Sequence, residues 1–257
     1  MRRCCVVLPA YCEARHLSSL LPALFAQQAN LPGDELWVVV VDDDSPDGTA
    51  ILVETLIATH PRLRLLQGAK RGLGEAYQRG FAHARASLAP DLLVQMDADW
   101  QHDPAALPGL ISACHAPVDI AIGSRFTPGG LTPAFSARRR AVSRAGNRLL
   151  HGWAGLPYLA DYTSGFRCLR AELAWQLVER CRQDGLARRG YAFQSSLIAE
   201  ALLGGARIVE VPIAFGTRRH GRSKLRARDY WEFALNLRRL RRRVRSQPPA
   251  AAATPAG

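Results

Sequence analysis

Two strand-like segments in this chain, one unbroken and apolar and one carrying Gln95, end in the same way. Leu36 to Val41 is continuous and valine-rich and stops at Asp42-Asp43-Asp44, while Leu92 to Met96 stops at Asp97-Ala98-Asp99. An unbroken apolar, β-branched run of this length is the mark of a strand buried on both faces of a parallel sheet. Carboxylates directly after it sit at the strand's C-terminal edge. In open α/β sheets, ligands bind beyond that edge. Both acid groups are therefore expected to face one crevice.

The surrounding sequence alternates accordingly. Cys4 to Pro9 reads as a short buried strand, followed by a helix from about Ser18 to Gln28. The turn Ser45-Pro46-Asp47-Gly48-Thr49 opens a helix through about Thr59; Leu63 to Gln67 is a further strand and Gly74 to Ala86 a further helix. This order implies an open, mostly parallel α/β sheet flanked by helices. The chain carries neither the dinucleotide glycine fingerprint after its first strand nor a Walker A lysine motif, so a nucleotide site must be built differently. Thr127 to Ala141, rich in Gly, Pro and Arg, reads as a long functional loop.

No apolar stretch reaches 18 residues, so no transmembrane helix is predicted. The apolar run after Arg2-Arg3 is too short for a signal peptide and is soon followed by Glu13, Arg15 and His16. Six cysteines without Cys-x-x-Cys spacing read as free thiols, and the chain is expected to fold in the cytoplasm.

The net charge of +12 is concentrated near the C-terminus. Between Arg218 and Arg245, eleven arginines and Lys224 face only Asp229 and Glu232, so 12 − 2 = +10. Such polarity suits an anionic surface. Within Asp229 to Val244, Tyr230, Phe233, Leu237, Leu240 and Val244 recur at helical spacing, and Arg238, Arg239, Arg241, Arg242 and Arg243 occupy other faces. Two readings stand: a basic amphipathic helix in a membrane interface, or a stripe packed on the main domain with its arginines solvated. The expected division is a catalytic domain at 1–228, this helix at 229–247 and a disordered Pro/Ala tail at 248–257. Recognisable nucleic-acid motifs and clustered stacking aromatics are both missing from the sequence, so an Arg-rich nucleic-acid-binding protein stands only as a remote alternative and no specific nucleic-acid partner is expected.

Asp97 and Asp99 can both reach a hard cation if their turn bends. Oxygen donors suit Mg²⁺ or Mn²⁺, ions that keep waters and bind substrate phosphates. Such an ion would neutralise a diphosphate leaving group.

At this point the motifs become specific. Pro9-Ala10-Tyr11-Cys12-Glu13, Val41-Asp42-Asp43-Asp44-Ser45-Pro46-Asp47-Gly48-Thr49 and Met96-Asp97-Ala98-Asp99-Trp100-Gln101-His102-Asp103-Pro104 resemble family 2 glycosyltransferases of GT-A fold. Gly123-Ser124-Arg125-Phe126, Asp161-Tyr162-Thr163-Ser164-Gly165-Phe166-Arg167 and Gly221-Arg222-Ser223-Lys224-Leu225 resemble the polyprenol (dolichol) monophosphate mannose synthases among them. The resemblance runs from about Val6 to Leu225.

That resemblance implies inverting transfer of mannose from GDP-mannose to a polyprenyl phosphate at a membrane, by a protein peripheral on its cytoplasmic face. Pro9, Tyr11 and Glu13 would border guanine and ribose, with Asp42 and Asp44 near the nucleoside. Asp97, Asp99 and Gln101 match the metal and diphosphate site, with Asp97, Asp99 and Arg125 as the catalytic group. Arg125, Arg139 and Ser143 match the acceptor-phosphate pocket, and Arg218 and Lys224 the donor diphosphate. Arg139 and Ser143 are four apart, hence on one face of any helix that begins there. A phosphate acceptor is already largely ionised near neutral pH, so no catalytic base is assigned. UDP-glucose or another nucleotide sugar stands as the alternative donor, and a membrane-protein partner is open. Two positions depart from the pattern: Cys12 where asparagine is usual, and Ser196 where glutamate often follows the Phe-Gln pair, here Phe193-Gln194.

Overall fold

The computed structural model describes residues 1–183, 192–218 and 227–247, the last stretch with side chains from residue 231. The expected Gly221–Leu225 motif, Lys224 within it and the tail at 248–257 lie outside the described residues. The first half alternates as β1 (Arg2–Ala10), α1 (Ala14–Ala26), β2 (Asp34–Asp42), α2 (Thr49–Ile57), β3 (Leu63–Gln67), α3 (Leu73–Ser87) and β4 (Leu92–Gln95). There follow α4 (Leu107–Ala113), β5 (Ile120–Ser124), α5 (Ala137–Arg148), β6 (Arg167–Arg170), α6 (Ala171–Gln183), α7 (Ala192–Leu203), β7 (Ile208–Pro212) and α8 (Ala227–Ser246).

The seven strands form one sheet in the order β3-β2-β1-β4-β6-β5-β7. β1 pairs in parallel with β2 over nine residues, from Arg2 opposite Asp34 to Ala10 opposite Asp42, and with β4 on its other edge. Among the described strands only β6 runs against its neighbours, β4 and β5. The chain thus reverses its direction of travel across the sheet at β1, between the strands that end in Asp42 and Gln95. A crevice opens at such a switch point.

Alternation along β1 divides the core into two layers. Cys4, Val6 and Leu8 pack with Leu17, Leu20, Leu24 and Ile111 on one face; Cys5 and Val7 pack with Tyr77, Phe81 and Phe193 on the other. On that second face α3 sits hard against the sheet at Gly80, where a Cβ would come within 2.4 Å of Val7. α7 is buried on every side, with all twelve of its residues in the interior.

Several boundaries differ from the sequence expectation. α1 starts at Ala14 rather than near Ser18, because Glu13 O already accepts from His16 and Leu17 N–H. The expected loop at Thr127–Ala141 yields to α5 from Ala137, capped where Ser136 Oγ accepts from Arg139 N–H at 3.2 Å. The apolar stripe of α8 is turned inward: Leu240 is fully buried, Leu237 nearly so, and Phe233 and Val244 pack against the same core. Asn236 joins it there, its side chain bonded to Ser195 Oγ (3.1 Å) and accepting from Ser196 Oγ (3.0 Å) of α7. Ser196, the second departure from the family pattern, is thus a buried tie between these two helices. No helix among the described residues is long and apolar enough to cross a membrane.

Candidate active site

The two acid groups stand at the C-terminal ends of β2 and β4, on either side of β1. Asp42 closes β2 and is fully buried, its Oδ2 accepting from Ser45 N–H at 3.1 Å while Oδ1 has no partner. Asp43 is held at 2.5 Å by Arg79 of α3, and burial pushes its carboxyl up to about 6. Asp44 is exposed, in a left-handed conformation with φ 52°. Cys12 is also left-handed, φ 56°, and its N–H donates to Ser45 Oγ at 2.9 Å, tying the two loops together. Half-buried Tyr11 carries Lys70 Nζ 3.1 Å above its ring, and Pro9 lies half-buried at the end of β1.

Beyond β4 the chain makes a tight turn through Trp100, φ 65°. Asp99 is 9 % exposed, its Oδ1 accepting from Gln101 N–H at 3.1 Å. Asp97 lies half-buried against Gly165, whose Cα faces the carboxylate so closely that an added Cβ would lie 3.2 Å from Oδ2. Burial drives the Asp97 carboxyl up to about 6, and burial together with Asp97 raises Asp99. Arg218 reaches this group from the far end of the chain: one guanidinium nitrogen bonds Glu13 Oε1, and another stands 3.6 Å from Asp99 Oδ2. Glu13 also takes His16 Nδ1 at 2.6 Å. Glu13, Asp97, Asp99 and Arg218 are therefore neighbours.

The donor set fits a hard divalent cation. Two carboxylates whose ionisation the fold disfavours are in the electrostatic state that a cation relieves. Gln101 adds a carboxamide oxygen, its nitrogen being turned to Gly216 O at 3.4 Å. Among the described residues no three His, Cys, Asp or Glu side chains form a closed cage. A two-carboxylate site leaves the other positions to water and phosphate oxygens, the arrangement usual for Mg²⁺.

The other wall is basic. Arg125, 9 % exposed, donates through Nε and Nη2 to Asp161 at 2.7 Å each and through Nη2 to Thr163 Oγ1 at 2.7 Å. The forked pair is buried, and Arg125 holds Asp161 below the usual carboxylate range even though burial opposes it. Arg125 faces a cavity of about 330 Å³ bordered by Thr132, Pro133, Arg140 and Arg144. Arg140 is fixed by Thr132 Oγ1 at 3.1 Å. Arg139 lies on the exposed side of α5, its guanidinium 4.0 Å over the Phe135 ring, and Ser143 is half-buried one turn on. Neither borders the cavity; Arg140 and Arg144, one residue along in register, do.

Residues without an assigned role in the sequence also prove to be structural parts of the site. Asp161 anchors Arg125. Arg167, fully buried, donates to Gln194 O and Oε1 at 2.8 Å and to Tyr162 O at 2.7 Å, tying β6 to the Phe193-Gln194 pair. His102 is fully buried beneath the Asp97 turn, and burial lowers it to about 4, so it is neutral at ordinary pH. The motifs that hold these residues were visible; their partners, tens of residues distant, were not.

Known proteins bear on this geometry in three ways. Residues 5–178 match the family described as Glycosyl transferase family 2. The chain is 34% identical over 226 residues to a polyprenol monophosphomannose synthase of Mycolicibacterium smegmatis, covering 87% of this chain and 81% of that protein. It is 36% identical to an undecaprenyl-phosphate mannosyltransferase of Micrococcus luteus, covering 92% and 93%. A dolichol-phosphate mannosyltransferase of Pyrococcus furiosus is 34% identical, over 91% of this chain and 62% of that one. Among solved structures, a mannosyl-3-phosphoglycerate synthase from Rubrobacter xylanophilus shares the fold at TM-score 0.64 and 20% identity, over 95% of this chain and 75% of that one. A mannosyltransferase from Pyrobaculum calidifontis, in complex with GDP-Man and Mn²⁺, does so at 0.58 and 19%, over 86% and 58%. A GT-A sheet, an acidic crevice at its switch point, a family match over most of the chain and mannosyltransferase relatives along nearly its whole length agree: this chain belongs to glycosyl transferase family 2.

Proposed function

We propose that this enzyme transfers mannose from GDP-mannose to a polyprenyl phosphate, with inversion, using a divalent cation at Asp97, Asp99 and Gln101. The observation that carries the reading is the pairing of two walls across one crevice, a carboxylate pair short of positive charge and a clamped arginine beside a basic cavity. When bound, the cation supplies charge stabilisation to the departing diphosphate. Arg218, already beside Asp99, is suited to the same diphosphate, and Lys224 is proposed to join it. Tyr11, Pro9, Glu13, Asp42 and Asp44 are proposed to border the nucleoside.

Opposite them, Arg125 holds its guanidinium rigid before substrate arrives, with Asp161 fixing the fork and Nη1 left to a phosphate oxygen. Arg139 and Ser143 remain the proposed acceptor residues from the family motif; Arg140 and Arg144 of the cavity are added to them. The acceptor oxygen needs no base, since a phosphate monoester loses its second proton near pH 6. Catalysis then rests on in-line positioning and charge. Transfer of labelled mannose from GDP-mannose to polyprenyl phosphate, with and without EDTA and with UDP-glucose as the competing donor, tests the reading. EDTA-resistant transfer removes the cation, and preferential use of UDP-glucose removes the donor.

The acceptor is lipid-borne, and the reading includes peripheral docking on the cytoplasmic face of a membrane. The inward stripe of α8 is occupied by the core, so docking falls to other residues. Val142 and Ala145 of α5 and Leu149 in the turn that follows it are spaced as one outward face, all exposed, and Trp153 continues them. α8 runs alongside, with Phe233 near Gly146, Arg241 over Trp153 at 4.3 Å, and Trp231 and Leu235 exposed. Apolar and aromatic side chains among arginines fit an anionic bilayer surface. Flotation with anionic vesicles is expected to fall sharply for the Val142→Glu/Leu149→Glu double variant; undiminished capture removes this face.

A further inference from the structure

His102 is more than filler beneath the crevice. Its ring is stacked on Phe166 (centroids 5.1 Å apart, 18° between planes) and lies edge-on to Phe215 at 5.2 Å. Its Nδ1 accepts the backbone N–H of Asp97 at 3.2 Å. An accepting Nδ1 carries no hydrogen, so the ring proton is on Nε2, which is buried and has no partner. A polar ring is therefore kept in an apolar slot, at the expense of one unsatisfied N–H, for the sake of a single acceptor.

The segments it touches are those that must agree for the site to exist. Phe166 follows Gly165, which abuts the Asp97 carboxylate. Phe215 lies 5.3 Å from the Arg125 guanidinium, and its strand-like bridge to His102 is continued where Gly216 N–H donates to Gln101 O at 2.9 Å. Arg218 stands two residues further on. The donor turn, the clamp of Arg125 and the arm that carries Arg218 thus converge on one imidazole.

We infer that His102 is a positioning residue, whose Nδ1 fixes the peptide of Asp97 and so sets the Asp97–Asp99 pair in its cation-binding geometry. The inference rests on the cation site proposed above. In an ordinary metal centre a supporting histidine bonds through a ligating side chain; here the support goes through the ligand's own backbone.

The test compares three variants of the full chain. His102→Asn keeps an acceptor near the Nδ1 position, His102→Gln moves it toward Nε2, and His102→Phe fills the slot with no acceptor. Two readouts are used: Mn²⁺ affinity in the presence of GDP, from the free-ion paramagnetic signal, and hydrogen exchange of the Asp97 amide in the metal-free protein. His102→Asn is expected to retain near-native Mn²⁺ affinity and amide protection. His102→Gln and His102→Phe should lose protection and about 10–100-fold in affinity. Should His102→Phe fail to fold, the Asn and Gln variants alone decide. Equal behaviour of Asn and Gln on both readouts overturns the inference. A wild-type chain that binds no Mn²⁺ while its Asp97 amide is protected by His102 overturns the cation reading instead, and this role with it.

Discussion

The two walls of the crevice bury charge in opposite ways. On the basic wall Arg125 and Asp161 neutralise one another completely, with two 2.7 Å bonds and Thr163 in support. On the acidic wall Asp97 and Asp99 share a turn; Arg218 stands 3.6 Å from Asp99 but is engaged by Glu13, and Arg125, the strongest cationic influence on Asp97, is already forked onto Asp161. Burial raises both carboxyls there, whereas Arg125 draws Asp161 down. A balanced pair fixes the geometry of the arginine it holds. An imbalanced pair is unfinished, and the missing charge describes the ligand.

The comparison breaks most visibly through activity. Asp99→Asn is expected to lower mannosyl transfer by at least about a thousandfold, with an unfolding midpoint equal to or above that of the native protein. Normal turnover in that variant dissolves the difference between the walls. Asp161→Asn makes the opposite kind of damage, because it strands a buried guanidinium. The expected loss is about 3–5 kcal/mol in urea unfolding, and equal stability losses at Asp99 and Asp161 would erase the contrast.

Acid separates the walls by sign. The raised Asp97 carboxyl holds a proton in the folded state that the unfolded chain has already released, so its burden on stability begins to lift as pH falls through about 6 and is gone only below the ordinary carboxylate range. Asp161 contributes stability above the ordinary carboxylate range and loses it only at lower pH. Metal-free protein should therefore melt a few degrees higher at pH 5 than at pH 7.5, and Asp97→Asn should remove part of that gain. Calorimetry in EDTA checks it, and an unchanged gain in the variant assigns it elsewhere, Asp43 first. The smallest effect is expected of Gly165→Ala, whose Cβ would press on Asp97 at 3.2 Å. A Mn²⁺ affinity lowered about tenfold without change in melting would sharpen the picture of a tightly fitted carboxylate.

Much of the acidic wall is legible in the sequence alone. Leu63–Gln67 emerges with the expected bounds, and the segments ending at Asp42 and Asp97 become parallel strands on either side of β1, the first because its valine-rich pattern admits little else. The basic wall was harder to read. α5 buries only Asn147, and its half-buried face carries Arg140 and Ser143, so the periodic apolar signal of a helix is missing and a Gly/Pro/Arg-rich loop was the natural reading. Its apolar residues face outward instead. Pairings such as Arg125 with Asp161, 36 residues apart, or Arg218 with Glu13, 205 apart, leave no local trace. The α8 stripe was correctly periodic, yet periodicity says that a face is covered and not by what.

Cys12 carries a consequence for how such a chain drifts over generations. Its backbone sits at φ 56°, and its tie to Ser45 runs through the peptide N–H, so the position is filtered by a dihedral angle and hardly by chemistry. Asparagine and glycine satisfy that filter more cheaply than a thiol does. An exchange between asparagine and cysteine therefore leaves the tie between the two loops in place, and any change it makes is confined to what the exposed side chain itself can touch.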